Sequence, residues 1–378
     1  MEELNIIHIP LSRPDIDERD IQSVINVLKT PYLSIGPKIV EFENRIANYV
    51  GRKFAIGVNS GTSALHLILK SLGIGEGDEV ITTPFSFIAS ANCILFEGAR
   101  PVFVDIEEET LNINPELIEG TITEKTKGIL PVDVFGNPCD WDVIMDIAQK
   151  NNLFVIEDSC EALGAEYKRK RCGSFGVAAA FGFYPNKQIT TGEGGMIVTD
   201  DEALANLCRS MRNQGRGEDM SWLNHERLGY NFRLDEMSAA LGISQLEKIE
   251  QILEKRAKVA HQYMIRLREI DEVTVQFIRK DVVMSWFVFV IRLKEDINRD
   301  GVIKYLKENG VSSKPYFPPI HLQPFYVKQY GYNLGDFPVT ERISNQCLAL
   351  PFYNSLSNNE IDIIVNKLKE AIRLNCII

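Results

Sequence analysis

The chain has 378 residues, of which 45% are hydrophobic and 25% charged, with a formal net charge of -11. That length exceeds one compact core and predicts two domains, and the composition is that of a soluble globular protein. The acidic balance argues against a nucleic-acid binder, so an anionic ligand has to be held by a local pocket and not by the overall field.

Seven cysteines stand at 93, 139, 160, 172, 208, 347 and 376, with no C-x-x-C pair, and no H-E-x-x-H accompanies the histidines. This reads as reduced thiols in a cytoplasmic protein without a metal site. The opening stretch "MEELNIIHIPLSRPD" lacks the basic start and apolar core of a signal peptide, and the apolar runs are too short to span a bilayer.

Taken in chain order, Ile21, Val24, Ile25 and Leu28 fall at helical spacing and predict a helix over 15–29, followed by another over 37–50. The rhythm then changes. The short apolar runs "KFAIGVN", "EVITTP", "PVFVDI", "GILPVDVFG", "LFVIED", "AAAFGFY" and "GMIVTD" alternate with helical patterns over 62–72, 86–97, 140–150 and 201–212. Such alternation predicts an α/β fold, a large domain with a mostly parallel seven-stranded sheet covered by helices on both faces. Residues 234–267 read as two helices, or one bent helix, leading to a smaller C-terminal α+β domain. That domain holds the strand "MSWFVFVIRL" and helices over 299–309 and 358–374. The expected division is 1–250 and 251–378, with no internal repeat and no low-complexity linker.

In open α/β sheets ligands bind beyond the carboxyl ends of the strands, so the residues following each strand carry the functional argument. After "FAIGVN" comes "SGTSALHL", where Ser60, Gly61 and Thr62 open a helix and present backbone N–H groups to an anion, although an ordinary cap is the simpler reading of this motif alone. After "EVI" come Phe85 and Phe87, as core packing or as a flat face for a flat ligand. After "LFVI" the carboxylates Glu157, Asp158 and Glu161 crowd an apolar strand end, which is costly unless they are paired or hydrogen-bonded. Lys187 lies in "AFGFYPNKQITTGEGGM", between Pro185 and a glycine-rich turn, a rigid setting that a solvated lysine does not need. No G-x-G-x-x-G follows a strand and no P-loop occurs. A phosphate cradle, a stacking ring, a carboxylate at a strand end and a constrained lysine are the four requirements of pyridoxal 5'-phosphate. By contrast, "YKRKRCG" reads as a solvated hairpin turn, His66 as helix packing, and Trp286, Phe287 and Phe289 as the core of the small domain's sheet.

The sequence resembles the DegT-type (DegT/DnrJ/StrS) nucleotide-sugar aminotransferases, pyridoxal-phosphate enzymes of the aspartate-aminotransferase fold (fold type I). The resemblance runs through "YLSIGPKIVEFENRIANYVG", "NSGTSALHLIL", "EVITTPFSFIASAN", "GARPVFVDI", "VIEDSCEALGAEY", "FYPNKQITTGEGGMIVT", "LGYNFRLDEMSAALG" and "PYFPPIHLQPFY". It implies that Lys187 forms the Schiff base and moves the proton, that Asp158 pairs with the pyridinium nitrogen, and that Phe87 stacks on the ring while Phe85 packs. It implies further that Ser60, Gly61 and Thr62 hold the phosphate, that Glu161 lies near the ring hydroxyl, and that Asn231 reaches the phosphate of a neighbouring subunit in a homodimer with shared sites. His321 is expected near the substrate's way in. Three positions depart from the family pattern. Glu161 stands where Gln or His is usual, Gly182 where a serine is frequent, and Asp133 where His is frequent, which bears on substrate choice. The implied reaction carries an amino group from an amino acid, glutamate, to a nucleotide-diphosphate keto-sugar in glycoconjugate biosynthesis. A keto-cyclitol acceptor and a regulatory protein without turnover are the alternatives.

Overall fold

The computed structural model describes residues 8–217 and 224–376. Its large sheet contains β1 (Phe54–Val58), β2 (Glu79–Thr82), β3 (Arg100–Phe103), β4 (Thr126–Leu130), β5 (Phe154–Asp158), β6 (Ala178–Gly182) and β7 (Gly195–Thr199), in the order β1-β7-β6-β5-β4-β2-β3. β7 runs antiparallel to both of its neighbours, and the other four pairings are parallel. The expected mostly parallel, seven-stranded sheet is therefore the observed one.

Strand alternation sends side chains to opposite helical layers. Ala178 and Ala180 of β6 join a core with α3 (Gly61–Ser71) and α6 (Glu202–Arg212), whereas Ala179 and Phe181 join α2 (Pro37–Val50) and α7 (Glu236–Glu247). A third cluster packs Ile81, Ile129 and Val155 under α5 (Trp141–Asn151), and α4 (Ala89–Phe96) follows β2. The run of small residues in β6 lets α3 come close, and that places the start of α3 against the sheet's carboxyl edge.

α1 (Glu18–Leu28) begins at a capping box formed by Asp17 and Asp20. The 234–267 stretch is two helices, α7 and α8 (Ile249–Leu267), meeting at Lys248. The C-terminal part forms a three-stranded sheet of β8 (Val273–Val275), β9 (Phe289–Leu293) and β10 (Cys347–Leu350), flanked by α9 (Arg299–Glu308) and α12 (Asn358–Leu374). Two helices not expected from the sequence, α10 (Pro324–Tyr330) and α11 (Pro338–Gln346), each start on a proline and are too short to show a clear period. Ile9 pairs with Val311, and the Leu11 carbonyl accepts the Phe352 N–H at 2.8 Å. The chain start thus packs on the C-terminal part, across the expected 250 boundary. "YKRKRCG" makes the anticipated hairpin, with Lys168 and Arg169 both at positive φ in its turn.

One long-range contact fixes the outer layer. The N-cap of α2 is Gly36, which has no side chain to satisfy the first N–H groups of the helix. Buried Glu236 does so from α7, accepting from Gly36 N at 3.0 Å, Lys38 N at 2.7 Å and Ile39 N at 2.9 Å. A Cβ at Gly36 would lie 2.6 Å from the Glu236 carboxylate, so the glycine leaves room for its own cap. Glu236→Ala is expected to cost about 2–4 kcal/mol in chemical denaturation, since it strips a charged acceptor from three N–H groups. A loss within about 0.5 kcal/mol would show that water replaces the cap.

Candidate active site

The carboxyl ends of β1, β2, β5 and β6 open into a cavity of about 560 Å³ that Phe287, Tyr316 and Phe317 close from the C-terminal part. Its floor is built by β5. Asp158, the last residue of that strand, is buried; its Oδ2 accepts the Ser90 hydroxyl at 2.7 Å and its Oδ1 the Cys160 N–H at 3.2 Å. Those two donors aim the carboxylate and compensate its burial.

On one side, Ser60 caps α3 by accepting the Ser63 N–H at 3.1 Å, and the N–H groups of Gly61 and Thr62 have no acceptor within the helix. Two glycines let this helix start sit low. A Cβ at Gly61 would lie 2.7 Å from Cys160 Sγ, and one at Gly195 would collide with the Ser60 carbonyl. Gly182 differs, because a Cβ there would meet Cys160 Cβ at an ordinary 3.5 Å. Its missing side chain is a difference in chemistry and not a steric requirement.

On the opposite wall, the "YPNKQITTGEGG" loop turns back at Gly192 with φ +82, and the Lys187 N–H bonds the Tyr184 carbonyl at 2.9 Å. Lys187 Nζ lies 3.7 Å from the centroid of the Phe287 ring and 3.4 Å from Glu161 Oε1. The other Glu161 oxygen accepts the Phe135 N–H at 2.9 Å. Burial raises the Glu161 pKa, opposed by the charge of Lys187 and by the Phe135 N–H. Phe87 borders the cavity with its ring 61% exposed, while Phe85 is wholly buried against Phe135 and Phe317. Phe85 is thus packing, as expected, and Phe87 is left with an uncovered face beside the cavity.

These residues fit pyridoxal phosphate. A helix start with free N–H groups, an uncovered ring, an oriented buried carboxylate and a primary amine line one space of suitable size. Ser60, Gly61, Thr62, Phe87, Asp158, Glu161 and Lys187 are brought together as expected.

Two expected residues, His321 and Asp133, are not. Asn231, expected to serve a neighbouring subunit, is exposed and absent from this chain's own cavity wall; its backbone pairs with Asn213. His321 is fully buried, with Nε2 3.0 Å from Glu341 Oε1 and its ring against Phe337. Glu341 also accepts the Gly335 and Phe337 N–H groups, so the pair pins a loop and His321 does not border the cavity. Asp133 is corrected in the same way. It points away from the cavity, fully buried, accepting the Cys139 N–H at 2.9 Å and contacting the Ser159 hydroxyl at 2.7 Å. The neighbouring Val132 occupies the wall instead. Ser90 and Tyr316 drew no expectation, and Phe287, expected in the core of the small domain's sheet, precedes β9 and lines the cavity; serine and aromatic residues give no signal of direction in sequence.

Ser159 Oγ also lies 2.7 Å from Glu157 Oε1. One hydroxyl proton cannot serve both carboxylates, so the Asp133–Glu157 pair holds a proton of its own. Burial pushes Asp133 up from 3.8 to about 6, and burial together with the charge of Asp133 pushes Glu157 well above the usual carboxylate range. The folded chain therefore binds protons that the unfolded chain releases: the Asp133 contribution to stability is lost as pH rises from about 3.8 to about 6, while Glu157, pushed higher, keeps the shared proton beyond that window. Asp133→Asn retains an acceptor for Cys139 and supplies a donor to Ser159. Its stability relative to the unmodified chain is expected to improve by roughly 2–3 kcal/mol between pH 4 and pH 7. Denaturation curves at both pH values check this, and a pH-independent difference would contradict the shared proton.

The fold and cavity have clear relatives. GDP-perosamine synthase of Caulobacter vibrioides is 39% identical over 376 residues, covering 98% of this chain and 100% of that protein. The solved structure of S. venezuelae DesV aligns with a TM-score of 0.90 at 32% identity, covering 96% of this chain and 98% of the other. Helicobacter pylori PseC, an aminotransferase involved in pseudoaminic acid biosynthesis, aligns with a TM-score of 0.92 at 29% identity over 97% of this chain and 100% of its own. The architecture is that of the fold type I pyridoxal-phosphate aminotransferases. With a family model matched over residues 14–369, the chain belongs to the DegT/DnrJ/EryC1/StrS aminotransferase family.

Proposed function

We propose that this chain transfers an amino group from an amino acid, glutamate, to a nucleotide-diphosphate keto-sugar. The observation that carries the reading is the placement of Lys187, the one basic side chain on the cavity wall among the described residues, within 3.4 Å of Glu161 and over a floor formed by Asp158. Bound pyridoxal phosphate supplies an aldehyde that condenses with amines and a ring that stores the electron pair freed when a C–H bond breaks. Gly61 and Thr62 would hold the phosphate, and Phe87 would offer a face to the ring. Asp158, fixed by Ser90 and Cys160, would hold a proton on the ring nitrogen. The Lys187 amine would take up and return the proton at the substrate carbon, and the aromatic wall of Phe287, Tyr316 and Phe317 would exclude water from it. A protein without turnover has no need of this half-buried amine.

The working unit is proposed to be a homodimer with shared sites. Glu193, Asp158 and Glu161 make the wall acidic, and no arginine lines it among the described residues. A cofactor phosphate and a nucleotide diphosphate therefore draw donors from elsewhere. Asn231 is exposed for that purpose, and α1 with the following loop exposes Ile21, Ile25, Leu28, Tyr32, Leu33 and Ile35, an apolar patch suited to a second copy. No helix among the described residues is long and apolar enough to cross a membrane, and the seven cysteines are free, which supports a cytoplasmic setting.

Lys187→Ala is expected to abolish turnover when nucleotide keto-sugars are screened against glutamate with product mass as the readout. Asp158→Asn should still bind the cofactor but slow turnover roughly a hundredfold or more. Wild-type protein that aminates a keto-cyclitol and none of the nucleotide sugars would overturn the acceptor assignment. For assembly, Lys187→Ala and Asn231→Asp are expected to be inactive alone and to recover about a quarter of wild-type activity when co-expressed, because half the dimers are mixed and each of those has one intact site. Mixed dimers without recovery would mean that Asn231 serves its own chain or does not touch the phosphate at all.

A further inference from the structure

Arg256 lies on α8 and is 4% exposed, with no carboxylate within ion-pair distance among the described residues. Its guanidinium is committed to carbonyls instead. Nε donates to the Trp286 carbonyl at 2.7 Å, and Nη2 to the Phe287 carbonyl at 2.8 Å and the Asn186 carbonyl at 3.4 Å. Nη1 donates to Asn354 Oδ1 at 3.4 Å, and the guanidinium carbon lies 5.2 Å from the centroid of the Phe352 ring. Its anion, Asp15, is reached only through Asn354, whose Nδ2 donates to Asp15 Oδ2 at 2.8 Å; a buried cation without a direct ion pair is expensive, and a hydrophobic side chain would fill the space at lower cost.

The carbonyls it gathers are those that frame Lys187. Asn186 is the residue before the lysine, and Phe287 carries the ring against which Nζ rests. The strap 285–287 is held on its other edge by Ser285 N to the Gly136 carbonyl and Phe287 N to the Phe135 carbonyl, both at 3.1 Å. Trp286 sits at φ +57, a conformation that costs energy for a side chain of its size and that persists where its surroundings hold it. Gln188, the residue after the lysine, donates to Ser285 Oγ at 2.8 Å and to the Glu161 carbonyl at 2.6 Å. Lysine loop and strap are thus tied on both sides of Lys187, by Gln188 on one and by Arg256 on the other.

We infer that Arg256 is a positioning residue for the reaction. Its guanidinium locks the Asn186 and Phe287 carbonyls together, so that the Lys187 amine is held between the Phe287 ring and the Glu161 carboxyl. The inference rests on the aminotransferase reading and adds a residue from outside the cavity. The fork of donors explains why arginine is used, since a lysine ammonium at the same place cannot span three carbonyls in fixed geometry.

The experiment compares wild type with Arg256→Lys and Arg256→Met, and with Arg266→Gln as a control on the same helix, where an ion pair to Asp362 and hydrogen bonds to Gln262 are lost without touching the cavity wall. Each protein is made free of cofactor, and its thermal midpoint is recorded. Pyridoxal phosphate is then added, and both the rate at which the visible band forms and the pH midpoint of that band are measured. The Arg256→Lys variant is expected to fold but to form the band about ten- to hundredfold more slowly and to move its pH midpoint by about half a unit or more, with the control unchanged. If Arg256→Met fails to fold, Arg256→Lys decides. A folded Arg256→Lys protein with wild-type rate and pH midpoint, changed only in thermal stability, overturns the inference. A wild-type protein that forms no band overturns the aminotransferase reading and this inference with it.

Discussion

The constraint on which the structure depends is the gathering of a half-buried amine and two buried carboxylates in a single cavity at the carboxyl edge of the sheet. Lys187, Asp158 and Glu161 are costly there unless every charge has a partner. Each has one. Asp158 takes donors from Ser90 and Cys160, Glu161 takes the Phe135 N–H, and Lys187 faces both Glu161 and the Phe287 ring. Because these partners come from α4, from the segments after β4 and β5, and from the strap before β9, the site exists only when both parts of the chain are folded together. The same arrangement leaves the open side of the cavity rich in acids and poor in bases, which is why a second copy enters the account of phosphate binding.

Behind the cavity lies a second layer of polar groups that is satisfied without reaching the ligand space. The Asp133–Glu157 pair shares a proton through Ser159, and Glu157 also accepts the Gly173 and Phe175 N–H groups at 2.5 and 2.9 Å. This knits the segment after β5 to the hairpin before β6. Asp133 N donates to the Asp158 carbonyl at 3.1 Å, so the pair fixes the strand end from which Asp158 projects. Arg256 plays the corresponding part on the lysine side. Together they tie the floor and the wall of the cavity to their surroundings, the kind of support that positioned catalysis requires.

Much of this was legible in the sequence because it follows from periodicity and from turn chemistry. Short apolar runs alternating with helical stretches determine a mostly parallel sheet, and the residues after those runs have to face the carboxyl edge. Lys187 between Pro185 and "TGEGG" was conspicuous for the same local reason. What was not legible is direction and distance. Asp133 lies just past β4 as Asp158 lies at the end of β5, but the 3₁₀ turn Val134–Gly136, with Phe135 at φ 61, leaves the Asp133 carboxylate facing Cys139 and not the cavity. His321 sits in a family-like motif but meets Glu341, on a helix whose short, proline-started pattern carries no period. Glu236 caps a helix some two hundred positions earlier, and Arg256 gathers carbonyls from both parts of the chain. No local pattern encodes such contacts.

The central claim is that the amine of Lys187 is the covalent anchor of the cofactor in this cavity. The most direct measurement is to load the protein with pyridoxal phosphate, reduce it with borohydride, digest it and locate the modified residue by mass spectrometry, with and without prior exposure to glutamate. The account predicts a single cofactor-bearing peptide labelled at Lys187, with the label lost when glutamate is added before reduction, because the amino acid then displaces the lysine. Labelling spread over surface lysines, or label at Lys187 that glutamate does not remove, would contradict it.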